Sequence, residues 1–293
     1  MVLGLGNSII SGAALESGYV ATASWDVDGT DDAVNIPSHA DIKPTTTDTS
    51  AGVGITVSAW VKTTWQTNAA SRMFVGGYEY PGGWYLDFAG TRARGILRTS
   101  AGAHTVQSAW RTFSDANGDE GTSTHFRSSG WHHISMTFDG RVLRLYIDGE
   151  HNYDDYNTGS DDTAIAYGTG RDYVDVFIGA NPGDLTSSDG GGTFDPGTSP
   201  NNGAVWDGLI NEVAIWNKAL DTAALEEIYQ AVNTDGAVLD LTKDSGDYDY
   251  SDDLLGLWRA SEIDGTTAVN ANNPGTHDGT HMNSIGTSSE VPS

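Results

Sequence analysis

The sequence predicts an all-β protein that carries one short helix after a late strand. Short segments in which apolar and polar residues alternate dominate the chain, and this two-residue period is typical of half-buried strands. Turn signals such as Gly-Gly, Pro-Gly and Asp-Gly pairs separate these segments, and the chain contains 37 glycines. Stretches with a helical period are few. The length of 293 residues accommodates two ordinary domains or one large all-β domain.

The first half of the chain contains several candidate strands. The clearest is ITVSAWVKT (55–63), which turns Trp60 to one face and a row of apolar residues to the other: Ile55, Val57, Ala59 and Val61. Further short patterns with glycine-containing turns between them predict strands at 73–80, 83–88, 94–98 and 105–113.

Residues 130–152, GWHHISMTFDGRVLRLYIDGEHN, predict a β-hairpin. Asp139-Gly140 joins its two alternating runs, because Asp-Gly tolerates the positive φ angles of a tight turn. His132 and His133 are neighbours on a strand, so their side chains point to opposite faces and cannot chelate one ion without a bulge. We interpret both as packed or edge histidines, with a ligand role for one of them as the alternative.

The later part of the chain contains two further strand patterns, at 174–180 and 208–217, on either side of a long Gly-, Ser-, Asp- and Pro-rich loop at 181–203. Asp221 then caps a predicted helix, TAALEEIYQAV, whose apolar stripe consists of Leu225, Ile228 and Val232. LLGLWRA (254–260) predicts one more strand, and the residues after it have the composition of turns and a tail.

The charge is strongly acidic, with 40 acidic against 14 basic residues and a formal net charge of -26. Such a field repels nucleic acid and anionic membranes, so we expect neither as a partner. The lysines are few: Lys43, Lys62, Lys218 and Lys243. An acidic, lysine-poor surface suits a saline or halophilic setting, because salt screens its self-repulsion. An ordinary acidic surface and an Asp-rich calcium binder are the alternatives.

Several functional classes lack their sequence signals. The chain has no cysteine, which excludes disulfides and thiol chemistry. No run approaches the roughly 18 to 20 apolar residues of a membrane span. The N-terminus lacks a basic region followed by an unbroken apolar stretch, so we expect no signal peptide.

Four segments, in order, resemble laminin G-like jelly rolls of the concanavalin A-like lectin/glucanase superfamily: 24–37, 55–63, 130–150 and 209–229. The chain departs from the family pattern in two places. Trp25-Asp26-Val27 interrupts the motif of the first segment, and Asn211 stands where the family usually has Asp before Glu212. The resemblance implies a two-sheet antiparallel jelly-roll β-sandwich at 18–235. It leaves an N-terminal arm at 1–17 and a C-terminal extension at 236–293, with one strand and a Gly/Asn/Ser-rich tail.

The glucanases of this superfamily carry two catalytic carboxylates on one strand face, in a Glu-x-Asp-x-Glu pattern. This chain has no such triplet; Glu262-Ile263-Asp264 supplies only two of the acids, and Asp172 and Asp175 differ in parity. It also lacks Gly-x-Ser-x-Gly, a phosphate-binding Gly-Lys-Ser/Thr loop and Cys/His zinc spacing. We therefore predict no enzymatic activity, with a glycoside hydrolase or lyase as the least favoured alternative.

Calcium is the cofactor that the acidic residues favour, because Ca²⁺ binds six to eight carboxylate and carbonyl oxygens. ASWDVDGTDDA gathers four candidate ligands in one turn: Asp26, Asp28, Asp31 and Asp32. In similar jelly rolls a structural calcium lies near this loop and the closing strand, and the resemblance adds Asn211 and Glu212. The alternative is an Asx-type turn with solvated acids. A second acidic candidate is 184–195.

Glycan binding is a separate hypothesis, because exposed aromatic rings stack on sugar faces. The candidate rings are Trp65, Tyr78, Tyr80, Trp84 and Trp110. The alternative is that each of these rings belongs to the core of the sandwich.

Residues 1–13 and 254–280 further resemble laminin G-like proteins encoded by tailed viruses of bacteria and archaea. We therefore predict a non-enzymatic virion structural protein: a capsid decoration, turret or tail-associated subunit. We expect it to self-associate as a homo-oligomer, to contact other virion proteins and host-surface glycans, and to assemble in the host cytoplasm. The alternative function is a glycan-binding adhesin or receptor-binding module.

Overall fold

The strands that the alternating segments predict are present, and they form a largely antiparallel β-sandwich. The computed structural model describes residues 18–44, 53–63, 72–79, 82–89, 92–99, 102–107, 130–156, 164–167, 175–180 and 205–293. In chain order the strands are β1 (Gly18–Tyr19), β2 (Ser24–Asp28), β3 (Ala33–Ile36), β4 (Val53–Thr63), β5 (Arg72–Glu79), β6 (Gly82–Ala89), β7 (Arg92–Thr99), β8 (Gly102–Gln107), β9 (His132–Phe138), β10 (Val142–Ile147), β11 (Glu150–Tyr156), β12 (Val176–Ile178), β13 (Asp207–Lys218), β14 (Val238–Leu239), β15 (Leu254–Asp264), β16 (Thr267–Asn270), β17 (Gly279–Met282) and β18 (Gly286–Ser288). One helix, α1 (Thr222–Asp235), and 3₁₀ turns at Ala40–Ile42 and Ser251–Asp253 complete the elements of these ranges.

The strands form one hydrogen-bonded path that closes over a shared core. The path runs β11-β10-β9-β4-β13-β15-β16-β17-β3-β12-β5-β6-β7-β8, with β2 and β18 attached beside β13. The ladders between these strands are antiparallel: β4 lies between β9 and β13, and β5 lies between β12 and β6. β1 and β14 form a separate two-stranded ladder. The predicted two-sheet antiparallel jelly-roll β-sandwich with one helix is confirmed.

The core lies between the inward faces of the two halves of this path. Ile55 and Val57 of β4 and Met136 of β9 pack into the same buried cluster as Leu86 of β6 and Leu97 of β7. At Gly95 the halves approach so closely that a Cβ would lie 3.2 Å from Met136 Sδ of β9. Trp60 lies on the opposite face of β4, as its strand parity predicts.

The predicted hairpin and helix are both confirmed. Leu143 of β10 pairs with Phe138 of β9, and the turn between the strands contains Asp139 and Gly140. Asp221 caps α1 by accepting a hydrogen bond from the amide of Ala224 at 2.9 Å. The helix ends at Gly236, which adopts the left-handed conformation with φ 64°. No helix within the described ranges is long and apolar enough to cross a membrane.

The prediction for residues 236–293 is wrong in part, because this segment is built into the sheet instead of ending in a tail. It contains five strands, β14 to β18, where one was expected. β17 pairs with β3, and β18 pairs with β2. Polar side chains organise its turns: Asn270 Oδ1 accepts from the Leu257 amide, and Asp278 Oδ1 accepts from the Asn270 amide. The same residue types gave the segment the composition of a tail.

Two other expectations, the N-terminal arm at 1–17 and the long loop at 181–203, lie outside the described residues.

Candidate functional site

The turn between β2 and β3 draws three carboxylates together. Gly29 allows the chain to reverse, with φ 75°. Asp28 Oδ1 then accepts hydrogen bonds from the amides of Thr30 and Asp31, and Asp32 Oδ2 accepts one from the Asp28 amide. As a result, Asp28, Asp31 and Asp32 each offer an oxygen within 4.8 Å of the others. We call these three residues the acidic turn.

The acidic turn opens into a cavity of about 520 Å³. Its far wall comes from the end of the chain: Asn283, Ser284 and Gly286 lie opposite Asp26 and the acidic turn. Pairing between Gly286 of β18 and Asp26 of β2 fixes this wall. Asn283 Nδ2 also donates to the backbone oxygen of Asp31. The pocket therefore joins an N-terminal turn to the C-terminal strands.

The electrostatics of the acidic turn favour a bound cation. Burial raises the pKa of Asp32, and the neighbouring charge of Asp28 raises it further. Among the described residues, the lining of the cavity includes no lysine or arginine. A divalent ion there would lower the cost of keeping these carboxylates ionised side by side. Three carboxylates with open space in front of them form a donor set that suits Ca²⁺.

Asn211 and Glu212 do not join the acidic turn, which corrects the predicted ligand set. The register is the reason: β13 pairs Leu209 with Asp26, so Asn211 lies towards the start of β2 and away from the turn. Both side chains are buried and already engaged. Asn211 Nδ2 donates to the backbone oxygen of Ala23 at 2.9 Å, and Glu212 Oε2 accepts from Arg259 Nε at 3.0 Å.

Glu212 and Arg259 instead form the centre of a buried ionic cluster that the sequence did not predict. Arg259 also donates to Asp240 Oδ1 and Glu262 Oε1, each at 3.3 Å, and its guanidinium lies 3.9 Å from the centroid of the Tyr19 ring. Burial raises the pKa of Glu212 to about 7, although the Arg259 charge opposes the rise. Glu212 has a φ of 49°, which is rare for a residue with a side chain.

Within the described residues, no candidate aromatic ring is exposed to bind a sugar. Trp84 is only 1% exposed, because the alternation of β6 turns it inwards with Leu86 and Phe88, so it cannot stack on a sugar. Trp65, Tyr80 and Trp110, and the side chain of Tyr78, lie outside the described residues. Tyr153 on β11, which the sequence did not single out, is 49% exposed.

The two histidines of the hairpin pack against different neighbours, as their strand parity predicts. His133 is buried against Trp60, with ring centroids 5.3 Å apart. His132 contacts Asp148 Oδ2 through Nδ1 at 2.8 Å. The His132 and His133 rings therefore contact different side chains, on opposite faces of β9.

Comparison with known proteins identifies the family. A family model described as the concanavalin A-like lectin/glucanases superfamily matches residues 28–225, which is more than half of the chain. The chain belongs to this superfamily. The matched range ends before β14. Asn283, Ser284 and Gly286, which form the far wall of the cavity at the acidic turn, therefore lie outside the matched residues.

The chain is also similar to several solved structures. A candidate carbohydrate-binding protein from Bacteroides ovatus has 10% identity and a TM-score of 0.56, over 92% of this chain and 60% of that protein. Domains LG4-5 of the mouse laminin alpha1 chain have 14% identity and a TM-score of 0.43, over 70% and 44% of the two chains. A SAP-like pentraxin from Limulus polyphemus has 12% identity and a TM-score of 0.44, over 72% and 83%. A search of curated protein sequences finds no match.

Proposed function

We propose that this protein is a non-enzymatic, lectin-like binding module that holds Ca²⁺ at the acidic turn and binds glycans beside it. The convergence of Asp28, Asp31 and Asp32 in an open cavity carries the proposal. Within the described residues none of these carboxylates forms an ion pair with a lysine or arginine. Because Ca²⁺ takes six to eight oxygens, three carboxylates leave positions for water or for the hydroxyls of a sugar.

The distribution of the other acids supports a binding role over a hydrolytic one. A glycosidase needs two carboxyl groups on opposite sides of the bond that it cleaves. Glu212 and Glu262 both contact Arg259, and Glu212 is buried under the helix side of the sheet. The carboxylates of the acidic turn lie side by side on one loop, with no partner across a cleft among the described residues. This arrangement suits chelation.

The overall charge predicts which glycans bind. A net charge of -26 repels sialylated, sulfated and uronate-rich chains, so neutral sugars are the favoured ligands. A calcium ion at the acidic turn would provide a local positive centre for sugar hydroxyls. The fold similarity to the Bacteroides ovatus protein, a candidate carbohydrate binder, supports carbohydrate as the ligand but does not bear on its charge.

A glycan array in high salt, with Ca²⁺ and with chelator, tests the proposal directly. We expect binding to neutral glycans that chelator abolishes and that Asp31→Asn weakens by about tenfold or more, since one calcium ligand is lost. Asp264→Asn, which removes an exposed acid elsewhere, is the matched control and leaves binding unchanged. Binding that is equal with and without Ca²⁺ would refute the role of the acidic turn.

We also propose that this module acts as a virion surface subunit, as a capsid decoration, turret or tail-associated protein that self-associates. The likeness of residues 1–13 and 254–280 to proteins of tailed viruses supports this role, and the second of these ranges includes β15 and β16. The acidic, lysine-poor composition fits particles that persist in concentrated salt. Mass spectrometry of purified particles tests this role, and absence of the protein from them would refute it.

A further inference from the structure

A second group of potential metal ligands lies beyond the other end of β3. His39 and Asp41 belong to the 3₁₀ turn that follows this strand, and His277 belongs to the turn that precedes β17. Asp41 Oδ2 lies 3.1 Å from His39 Nδ1 and 3.6 Å from His277 Nε2. The two imidazole rings lie 4.5 Å apart, centroid to centroid. Two loops from distant parts of the chain thus place two nitrogens and one carboxylate at a common point.

We propose that His39, Asp41 and His277 bind a Zn²⁺ ion. Zinc takes imidazole nitrogen and carboxylate oxygen at roughly 2.0 to 2.2 Å, in tetrahedral geometry. Two such ligands of one tetrahedral ion lie about 3.4 Å apart. The separations of 3.1 Å (Asp41 Oδ2 to His39 Nδ1) and 3.6 Å (Asp41 Oδ2 to His277 Nε2) lie on either side of that value. The fourth position faces water, because His39 and Asp41 are exposed.

The hydrogen bonding of His39 gives an independent reason to expect a cation. His39 Nδ1 accepts a hydrogen bond from the Asp41 amide at 3.2 Å, so this nitrogen presents a lone pair. The Asp41 carboxylate oxygen lies 3.1 Å from the same nitrogen. Two acceptors at this distance repel each other unless a positive centre lies between them. A metal ion meets this requirement by replacing the Asp41 amide at the ring nitrogen, which has a single lone pair, and a proton on the ring meets it in the absence of metal.

The surrounding structure holds the ligands in place before a metal arrives. The backbone oxygen of His277 accepts from the indole nitrogen of Trp258 at 3.0 Å, and Trp258 is fully buried. Asp278 fixes the same loop through the amides of Asn270 and Gly275. On the other side, buried Ile42 anchors the 3₁₀ turn. Ligands supported in this way bind metal with a smaller ordering cost.

The donor chemistry separates this site from the acidic turn. Imidazole nitrogen suits zinc and other late transition metals, whereas Ca²⁺ prefers oxygen ligands alone. We therefore expect the histidine site to fill with Zn²⁺ even when excess Ca²⁺ occupies the acidic turn. Bound zinc would fasten the loop before β17 to the turn after β3.

Titration of the full chain with Co²⁺ and Zn²⁺, in excess Ca²⁺, tests the proposal. We expect one Co²⁺ per chain with the visible d–d bands of a tetrahedral nitrogen–oxygen site, and displacement of Co²⁺ by Zn²⁺. We also expect Zn²⁺ to raise the melting temperature, because it binds only the folded chain.

Three variants remove the ligands and preserve the fold. His277→Asn tolerates the φ of 59° at this position, His39→Asn keeps an acceptor for the Asp41 amide, and Asp41→Asn keeps the side-chain shape. Each is expected to weaken metal binding by about tenfold or more and to remove the tetrahedral spectrum. His151→Asn, at an exposed histidine outside the site, is the matched control and binds as the parent does. Parent-like Co²⁺ spectra in His277→Asn, or no binding to the parent chain, would overturn the proposal.

Discussion

The two ends of the β3–β17 ladder resemble each other in position and differ in chemistry. In this ladder Met282 pairs with Ala33 at the end beside the acidic turn, and Thr280 pairs with Asn35 towards the end beside the histidine site. At one end the chain offers oxygen ligands only, from Asp28, Asp31 and Asp32. At the other end it offers two imidazoles and one carboxylate. A single ladder thus connects the two proposed sites, one with ligands for a hard and the other with ligands for a borderline metal ion.

The clustered carboxylates of this acidic protein differ in whether the fold supplies a neutralising cation. The Glu212 carboxylate has its own cation in Arg259 and lies inside the fold. The acidic turn has no internal cation in the described structure, and at the histidine site imidazoles take the place of further acids. Clusters without an internal cation depend on the medium for their counter-charge. Such clusters should therefore respond to metal ions, whereas the Glu212–Arg259 pair should not.

Glu212→Ala gives the largest expected effect and tests this distinction. Removal of one partner of a buried ion pair leaves the other charge uncompensated, at a cost of about 3 to 5 kcal/mol in the free energy of unfolding. We expect the lower part of that range, since Arg259 keeps Asp240 and Glu262. Denaturant unfolding measures the change. An effect that Ca²⁺ or Zn²⁺ reverses would contradict the view that this carboxylate is independent of metal.

A pH titration of stability comes next, and one contribution to it arises at His133 inside the sheet. Burial lowers the pKa of His133 from its usual 6.5 to about 4. The unfolded chain therefore takes up a proton before the folded chain does, and stability falls as the pH drops from about 6.5 towards 4, by up to about 3 kcal/mol. His133→Phe keeps a ring against Trp60 and should lose this part of the acid sensitivity.

Glu212 acts in the opposite direction over a similar range, so the two must be separated. Its pKa of about 7 in the folded chain lies above the ordinary 4.5, which means that its contribution is complete at low pH and declines as the pH rises towards 7. Because Glu212 is present in both proteins, the difference between parent and His133→Phe isolates the histidine. An unchanged pH profile in His133→Phe would contradict the assignment.

Calcium removal should have a smaller effect that is confined to the acidic turn. At a free Ca²⁺ concentration about 100 times the dissociation constant, the ion stabilises the folded chain by about 2.7 kcal/mol. Asp32→Asn should abolish this gain, yet in chelator it should be slightly more stable than the parent, because burial and the Asp28 charge penalise the ionised Asp32. Melting curves in high salt measure both changes: the lost gain with Ca²⁺ present, and the slight stabilisation with chelator present. Asp264→Asn serves as control, and a calcium response that survives in Asp32→Asn would contradict the site.

Asp41→Asn without metal should have the smallest effect. The His39–Asp41 contact is exposed, so water screens the interaction between the two side chains and its contribution of either sign stays below about 1 kcal/mol. We expect a change within about 0.5 kcal/mol in zinc-free buffer, and loss of the zinc-induced rise in melting temperature. A large destabilisation without metal would show that Asp41 has a structural role instead.

The sequence predicted what depends on neighbours along the chain. The β9–β10 hairpin follows from alternation around Asp139-Gly140, and α1 follows from its Asp221 cap and apolar stripe. Both signals lie within one element or one turn. The acidic turn was predicted for the same reason, since Asp28, Asp31 and Asp32 are close in sequence.

The features that the sequence did not predict depend on register and on distant partners. Asn211 and Glu212 were placed near calcium, but the pairing of Leu209 with Asp26 positions them elsewhere. His39 and His277 meet only because β3 pairs with β17. The strands at the end of the chain are short and polar, so no local pattern distinguishes them from turns. Trp84 is of a residue type that often stacks on sugars, but its position in the alternation of β6 turns it into the core.

The pairing of β17 with β3 and of β18 with β2 also sets an order of events during synthesis. β2 and β3 are synthesised long before β17 and β18, with which they pair. Until then one edge of β2 and one edge of β3 remain without a partner, and exposed edges invite aggregation. Asp26 and Asp28 lie on β2 itself. Their charges would keep the waiting edge soluble, so acids in and beside the acidic turn would also protect the nascent chain.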